Sequence, residues 1–291
     1  MARFNGPAGS NLPGLKKLNR SAVLSALLRD GPCARGDLAR ATGLTASTIS
    51  GIIGDLIANE LVKEGGHVED TSLGRTGRPP VLVSLHGPGA YAVGVHVGLG
   101  SIHLALGDLN GEIVAWHKEV TPADRRPERV LPAIREHIGR LIDSAAIPRD
   151  RLVGVGVGLV GIVDAERGVV RSMPQPGWHG VPVAATLERE LDLPVVIDNS
   201  RRAMAQAEIT FGVARQVQNL LFVHSYSTVG CGIAIDRQIY YGDSNASGQL
   251  GHVIVVPEGA LCVCGHRGCL DTVATDEGIA RLAREAVTLE R

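Results

Sequence analysis

The sequence predicts an α/β protein in two parts, a winged helix-turn-helix head ahead of a larger, strand-rich, two-lobed body. Three observations predict it. Apolar residues recur at helical spacing on both sides of Gly43, the pattern changes to alternating β runs after Gly87-Pro88-Gly89, and three cysteines crowd into eight residues late in the chain. With 291 residues and 44% hydrophobic content there is apolar material for more than one core. Aromatics are only 3%, so those cores must be built from Val, Leu, Ile and Ala. No run of eighteen uncharged apolar residues is present, which excludes a helical membrane span. The opening MARFNGPAGSNLPG lacks the basic-then-apolar order of a secretory signal, so residues 1–14 read as a loose leader and the chain as cytoplasmic. Five cysteines in this arrangement point to a reducing compartment and a metal rather than a disulfide framework.

Charge is uneven along the chain. Residues 1–80 hold ten Lys and Arg against seven Asp and Glu, whereas the remainder holds nineteen against twenty-three. A basic front on an acidic body fits a head that meets a polyanion. That head spans residues 15–86. LKKLNRSAVLSALLRD places Leu18, Val23, Leu24, Leu27 and Leu28 on one stripe and stops at Gly31-Pro32; ARGDLARATG is a short second helix closed by Gly43. The third, LTASTISGIIGDLIANELV, takes Thr45 as N-cap and presents Ile49, Ile52, Ile53, Leu56 and Ile57 at helical spacing. Its first turns carry Thr45, Ser47, Thr48 and Ser50, small polar residues that let a backbone approach a major groove and bond bases and phosphates. The competing reading is a three-helix bundle for protein contacts. LVKEGGHVEDTSLGRTGRPPVLVSLH then reads as strand, loop and strand, a wing. Arg75 and the Gly77-Arg78-Pro79 core of its loop suit a narrow minor groove, against the plainer reading of a solvated turn.

In the body, residues 90–120 read as three antiparallel strands with Asp108-Leu109-Asn110-Gly111 as a hairpin turn. Pro127–Ala145 is an amphipathic helix, LVGVGVGLVGIVD one buried strand, VPVAATLERELD a helix and LPVVID a strand. That last strand ends on Asp198-Asn199-Ser200, where α/β proteins place ligands but where the same residues also cap helices. The helix AMAQAEITFG follows, and NLLFVHSYSTVGCGIAIDRQIYYG opens a second β-rich half, so the lobe looks duplicated. Cys262, Cys264 and Cys269, with Gly265 and Gly268 between them, form a tight knuckle. With one histidine, either His252 upstream or His266 inside it, they make a closed Cys3His set suited to structural Zn2+. Cys33 and Cys231 stand alone as packing residues.

The stretch SGQLGHVIVVPEGALCVCGHRGCLDTVAT resembles the G-E-I-G-H and C-x-C-G-x-x-G-C-L-E motifs of the ROK proteins, a family of repressors, open reading frames and sugar kinases. The resemblance covers almost the whole chain. It implies an actin-like (ribonuclease H-like) body with lobe 1 over residues 90–198 and lobe 2 over 199–291, and it makes His252 the fourth metal ligand. It further implies hexose contacts at Asn199, Ser200, Gln249, His252 and Asp271, where Ser, Gln and Asp replace the family's Asp, Glu and Glu. Ser200 stands where family kinases carry their catalytic Asp, and a serine cannot take a sugar proton near pH 7. The first phosphate loop, family D-x-G-G-T, is here His96-Val97-Gly98-Leu99-Gly100, and the second, family G-T-G-I-G, is only partly kept across Ser227–Gly232. A chain of this kind is expected to lack kinase activity and to be a transcriptional regulator, most simply a repressor of carbohydrate genes. Its expected partners are a palindromic double-stranded operator, a sugar effector, and a second copy in a homodimer or dimer of dimers. A sugar kinase with an added head is the alternative. The family's second lobe runs on past the knuckle, so lobe 2 is expected to be incomplete, with an apolar face that dimerisation would cover.

Overall fold

The computed structural model describes residues 12–67 and 80–289. The chain forms two compact units, residues 1–91 with the turn 108–112, and residues 92–107 with 113–291. In the first, α1 (Leu12–Asp30), α2 (Arg35–Thr42) and α3 (Ala46–Ala58) are followed by β2 (Val62–His67) and β3 (Val81–Leu85), with a two-residue strand β1 (Cys33–Ala34) between α1 and α2. β3 lies between the other two strands and pairs with both antiparallel. Gly43 closes α2 at φ +70, a left-handed conformation that glycine adopts without a Cβ penalty, and its N–H donates to the Ala39 carbonyl. Axes of α2 and α3 turn through 114°, within the helix-turn-helix range. Val23, Leu27, Leu38, Ile49, Ile53, Leu56, Val62 and Val83 make one core. Two expectations change here. Leu18 is 63% exposed, because the inward face of α1 is set by Val23, Ala26 and Leu27. The wing also gains a third strand, because the chain after Gly31 runs extended and lays Cys33 opposite Val83. Arg75 and Arg78 lie outside the described residues, as do residues 1–11 of the leader.

The second unit is built on a five-stranded sheet of order β11-β7-β4-β5-β6. Its strands are β4 (Tyr91–Val97), β5 (Ser101–Asp108), β6 (Ile113–Val120), β7 (Leu152–Leu159) and β11 (Val195–Asn199). β5 and β6 pair antiparallel through the turn expected at Asp108–Gly111, and β11 runs parallel to β7. Helix α4 (Pro127–Ala145) buries Val130, Leu131, Ile134, Ile138, Leu141 and Ile142, and α5 (Val183–Leu191) buries Val183, Ala184 and Leu187. The run 152–164 is not one strand. It breaks at Gly161 (φ +100), where a Cβ would lie 2.3 Å from the Ser172 carbonyl oxygen. The chain then turns into β8 (Ile162–Asp164), which joins β9 (Val169–Ser172) and β10 (His179–Val181) in a small antiparallel sheet that periodicity alone does not reveal.

Helix α6 (Ser200–Thr210) starts directly at the end of β11, three residues earlier than its apolar pattern suggests. Beyond it, β12 (Leu220–Ser225), β13 (Val229–Ile235) and β14 (Gln238–Ile239) form an antiparallel sheet. α6 packs so closely on β13 that a Cβ at Gly232 would sit 2.5 Å from the Ala205 methyl. After the knuckle come α7 (Asp271–Ala274) and α8 (Asp276–Leu289). Trp116 and Val120 on β6 and Leu221 and Val223 on β12 are exposed. Among the described residues, no single helix is long and apolar enough to cross a membrane.

Candidate functional site

Thr45 caps α3 by accepting the Thr48 N–H at 3.2 Å, and its hydroxyl also lies 3.0 Å from Ser47 Oγ and 2.9 Å from Thr48 Oγ1. Thr48 is half-buried, which leaves Ser47 and Ser50 as the exposed hydroxyls of the four expected on this helix that are not the cap. Gly51 and Gly54 continue their exposed face, and a Cβ added at either would find no neighbour within 4 Å, so the helix is bare backbone along one side. Lys16, Lys17 and Arg20 of α1 line a groove beside Thr48 and Gly51. Those cations do not stand out in the sequence, because their distance from the third helix hides their neighbourhood. A bare helix face rimmed by three cations is suited to a duplex: small side chains admit the groove wall and Lys and Arg meet phosphates. Lys17→Ala is expected to weaken binding uniformly across DNA sequences and to lower the salt slope of log K by about 1, measured by anisotropy titration at several salt concentrations.

In the body, four polar residues named from the sequence line one cavity of about 670 Å3: Asn199, Gln249, His252 and Asp271. Asn199 is the N-cap of α6. Its Oδ1 accepts the Arg201 N–H at 2.9 Å, and its Nδ2 donates to the Gly161 carbonyl at 2.8 Å. Asp271 is fixed as well, its Oδ1 accepting the Val229 N–H at 2.6 Å and its Oδ2 lying 4.0 Å from His252 Nδ1. Ser200 does not share this cavity. It is 2% exposed and lines a neighbouring one of about 800 Å3, with His96 and Asp198. The reason is helical geometry: Ser200 is the first residue of α6, so its side chain turns toward β7 while Asn199 and Arg201 face the other way.

Asp198, one residue before the end of β11, is held by structure. Arg202 Nε and Nη2 reach its Oδ1 at 2.7 and 2.6 Å, and Tyr241 Oη donates to its Oδ2 at 3.2 Å. Arg202 also donates to the carbonyls of Val163 and Asn245 and stacks 4.7 Å over the Tyr241 ring. Arg201 lines the smaller cavity, although in the sequence it reads only as a residue between strand and helix. Its Nη1 donates to Ser200 Oγ at 3.1 Å, and its Nη2 to Thr228 of the second glycine-rich loop. His96, near the end of β4, is pushed down to about 4 by burial, then by His103, Arg201 and His224. A histidine depressed in the fold is neutral there and takes up a proton on unfolding, so stability is lost as pH falls from about 6.5 toward 4. His96→Gln is expected to flatten urea-unfolding stability over that window, removing about 2–3 kcal/mol of its pH dependence.

His252, Cys262, Cys264 and Cys269 are brought together, with one ligand atom from each lying within 4.8 Å of all the others. Cys262 Sγ is 3.7 Å from His252 Nδ1, and Cys264 Sγ is 3.6 Å from Cys269 Sγ. Tetrahedral zinc with thiolates at about 2.3 Å spaces its sulfurs roughly 3.8 Å apart, so the set fits that ion. His266, the rival ligand, is exposed; its ring Nδ1 lies 3.6 Å from Cys264 Sγ, and its carbonyl accepts the Cys262 N–H at 2.8 Å. Its backbone N–H bonds Cys264 and holds that thiol down to about 6. Gly268 (φ +74) is required for closure, because a Cβ there would lie 1.6 Å from the Val256 carbonyl oxygen. His252 and Cys264 line the smaller cavity too, so the knuckle forms part of its wall.

Comparison with known proteins supplies a family for both parts. The ROK family matches residues 92–290 and the MarR family residues 14–71. The xylose repressor of Bacillus subtilis (strain 168) is 28% identical over 270 residues, covering 92% of this chain and 68% of the relative. The DNA-binding transcriptional repressor Mlc of Escherichia coli (strain K12) is 30% identical over 280 residues, covering 94% and 68%. A glucokinase of Halalkalibacterium halodurans is 34% identical over 199 residues, covering 68% of this chain and 60% of the kinase. Among solved structures, a ROK family transcriptional regulator homologous to E. coli Mlc superposes with a TM-score of 0.78 at 27% identity, covering 95% of this chain and 69% of that one.

Proposed function

The chain belongs to the ROK family, and on that premise we propose that it is a DNA-binding transcriptional regulator of carbohydrate genes, a repressor that a sugar releases from a palindromic operator. The observation that carries this reading is the pairing of a ROK body with a helix-turn-helix whose third helix presents a bare, cation-rimmed face. The xylose repressor and Mlc match over 270 and 280 residues, whereas the glucokinase matches over 199. Two copies would set two heads on the two half-sites of an operator, with Ser47 and Ser50 toward bases and Arg75 and Arg78 of the wing in the flanking minor groove.

The body acts in this reading as a receptor. Asn199, Gln249, His252 and Asp271 offer hydrogen-bonding groups to sugar hydroxyls, and a structural zinc on His252, Cys262, Cys264 and Cys269 would hold the wall that carries His252. The ion would supply rigidity, because three thiolates and one imidazole leave no open position for chemistry. Ser200 is where the kinase alternative fails. It offers no base, and Arg201 beside it would pair with any carboxylate placed there and hold it too acidic to take a proton. Neither the chain nor its Ser200→Asp variant is expected to turn over ATP with any of several hexoses in a coupled assay. Turnover by the unaltered chain would replace this reading with the kinase one. The receptor claim is tested by anisotropy on an operator fragment: a binding sugar should release the DNA, and a ligand that binds without changing DNA affinity would contradict it.

A further inference from the structure

We propose that the cavity beside the knuckle takes an anionic sugar, a phosphorylated or carboxylated pyranose, with Arg201 as the residue that recognises its charge. This rests on the receptor reading above and narrows it to a chemical class. Arg201 is only 7% exposed, yet its side-chain partners among the described residues are the neutral oxygens of Ser200 and Thr228. Its Nε is buried without a partner, although the side chain lines the cavity. A buried guanidinium whose hydrogen bonds go only to neutral oxygens is costly unless an anion joins it. A second donor in the same state lines the same cavity: Gln175 is 6% exposed, and its Nε2 is buried without a partner. Two unmatched donors on separate segments of one wall call for a ligand rich in acceptors.

The surroundings favour the same class. Arg201 is the second residue of α6, an eleven-residue helix whose N-terminal end carries the positive pole of its dipole. Thr228 belongs to a glycine-rich loop and orients the guanidinium. Gly230, at the start of β13, leaves room for the Arg201 side chain, since a Cβ there would stand 3.2 Å from Arg201 Nε. Asp271 is the carboxylate whose field reaches Arg201, and it is already engaged by the Val229 N–H. The volume of about 670 Å3 has room for a monosaccharide with one anionic substituent. Ring hydroxyls would meet Asn199, Gln249 and His252, with the phosphate or carboxylate at Arg201, Thr228 and Gln175.

The test is calorimetry on the full chain with matched pairs: glucose and glucose 6-phosphate, N-acetylglucosamine and its 6-phosphate, glucose and glucuronate. Inorganic phosphate alone is titrated in parallel by thermal shift. At least one anionic member should bind about tenfold or more tighter than its neutral parent, the gap should collapse in Arg201→Met, and Arg201→Lys should keep part of it. The phosphate and carboxylate arms separate the two sources of charge. Inorganic phosphate should raise the melting temperature of the unaltered chain and not of Arg201→Met. Neutral sugars binding as tightly as anionic ones would overturn this inference and leave the receptor reading intact. Phosphate protection without any sugar binding would overturn the sugar class while keeping the anion site. No response in either assay would overturn both. Should Arg201→Met fail to fold, the paired comparison and phosphate protection on the unaltered chain decide by themselves.

Discussion

Treating the intact chain with a chelator is expected to unfold the segment Gly251–Asp271 while the helix-turn-helix stays folded. Apart from the ligand cluster, that segment is held by single bridges and turn hydrogen bonds, among them Val255 N–H to the Gly268 carbonyl and Leu270 N–H to the Val253 carbonyl. Its strand pairing consists of single bridges, Ile254 with Cys269 and Leu261 with Arg267, and Val253, Ile254, Leu261 and Val263 are exposed. Cys262 and Cys269 are buried, and without an ion they belong to a cluster of thiols rather than to a set of ligands satisfied by a cation. Zinc bound by such sets contributes about 10–16 kcal/mol in small domains, more than bridges and turn hydrogen bonds worth about 1 kcal/mol each supply. Hydrogen exchange should show protection lost first across residues 251–271, and ligand binding in the cavity should fall with it, because His252 and Cys264 leave its wall. Cys269→Ser should reproduce the effect and bind less than one zinc per chain by elemental analysis. Unchanged exchange in metal-free protein would rule out a structural zinc.

Arg202→Met should destabilise the body by about 3–5 kcal/mol, the ordinary consequence of removing one partner from a buried ion pair. The guanidinium is 1% exposed and ties Asp198, Val163 and Asn245 together, so it joins β11, β8 and the loop after β14. Its loss leaves the Asp198 carboxylate without its cation, held only by the Asn199 N–H and the Tyr241 hydroxyl. The double variant Asp198→Asn with Arg202→Met should recover a good part of the loss, and the urea-unfolding cycle of the four proteins gives the coupling directly. A single-variant effect below about 1 kcal/mol would show that Asp198 is free to serve the cavity instead of the scaffold.

The knuckle and the Asp198–Arg202 cluster differ in how far the sequence reveals them. The pattern of the head is legible because local rules act there: a glycine in the left-handed turn, a threonine cap and a three-four apolar spacing each act within a few residues. The knuckle is legible for the same reason, its ligands lying close in sequence with glycines at the bends. The cluster Asp198–Arg202 is legible as a place but not as a set of roles. One residue of rotation on α6 separates Asn199 and Arg201, on one cavity, from Ser200, on another. Arg202 turns inward against Val163 and Tyr241, partners far away in sequence. Charged residues at the start of a helix ordinarily read as solvated, so nothing local announces that both arginines are buried. The sheet β8-β9-β10 escapes for a similar reason: its strands are three to four residues long and too short to show a period.

The central claim, that the chain regulates genes by binding an operator through α3, is tested most directly by selecting genomic DNA fragments with the purified full chain and sequencing them. The expected result is a shared inverted repeat, enriched upstream of carbohydrate genes, with enrichment abolished by Ser50→Glu, which places a carboxylate on the exposed face of α3 against the duplex. Fragments without a common site, or enrichment that survives Ser50→Glu, would contradict it.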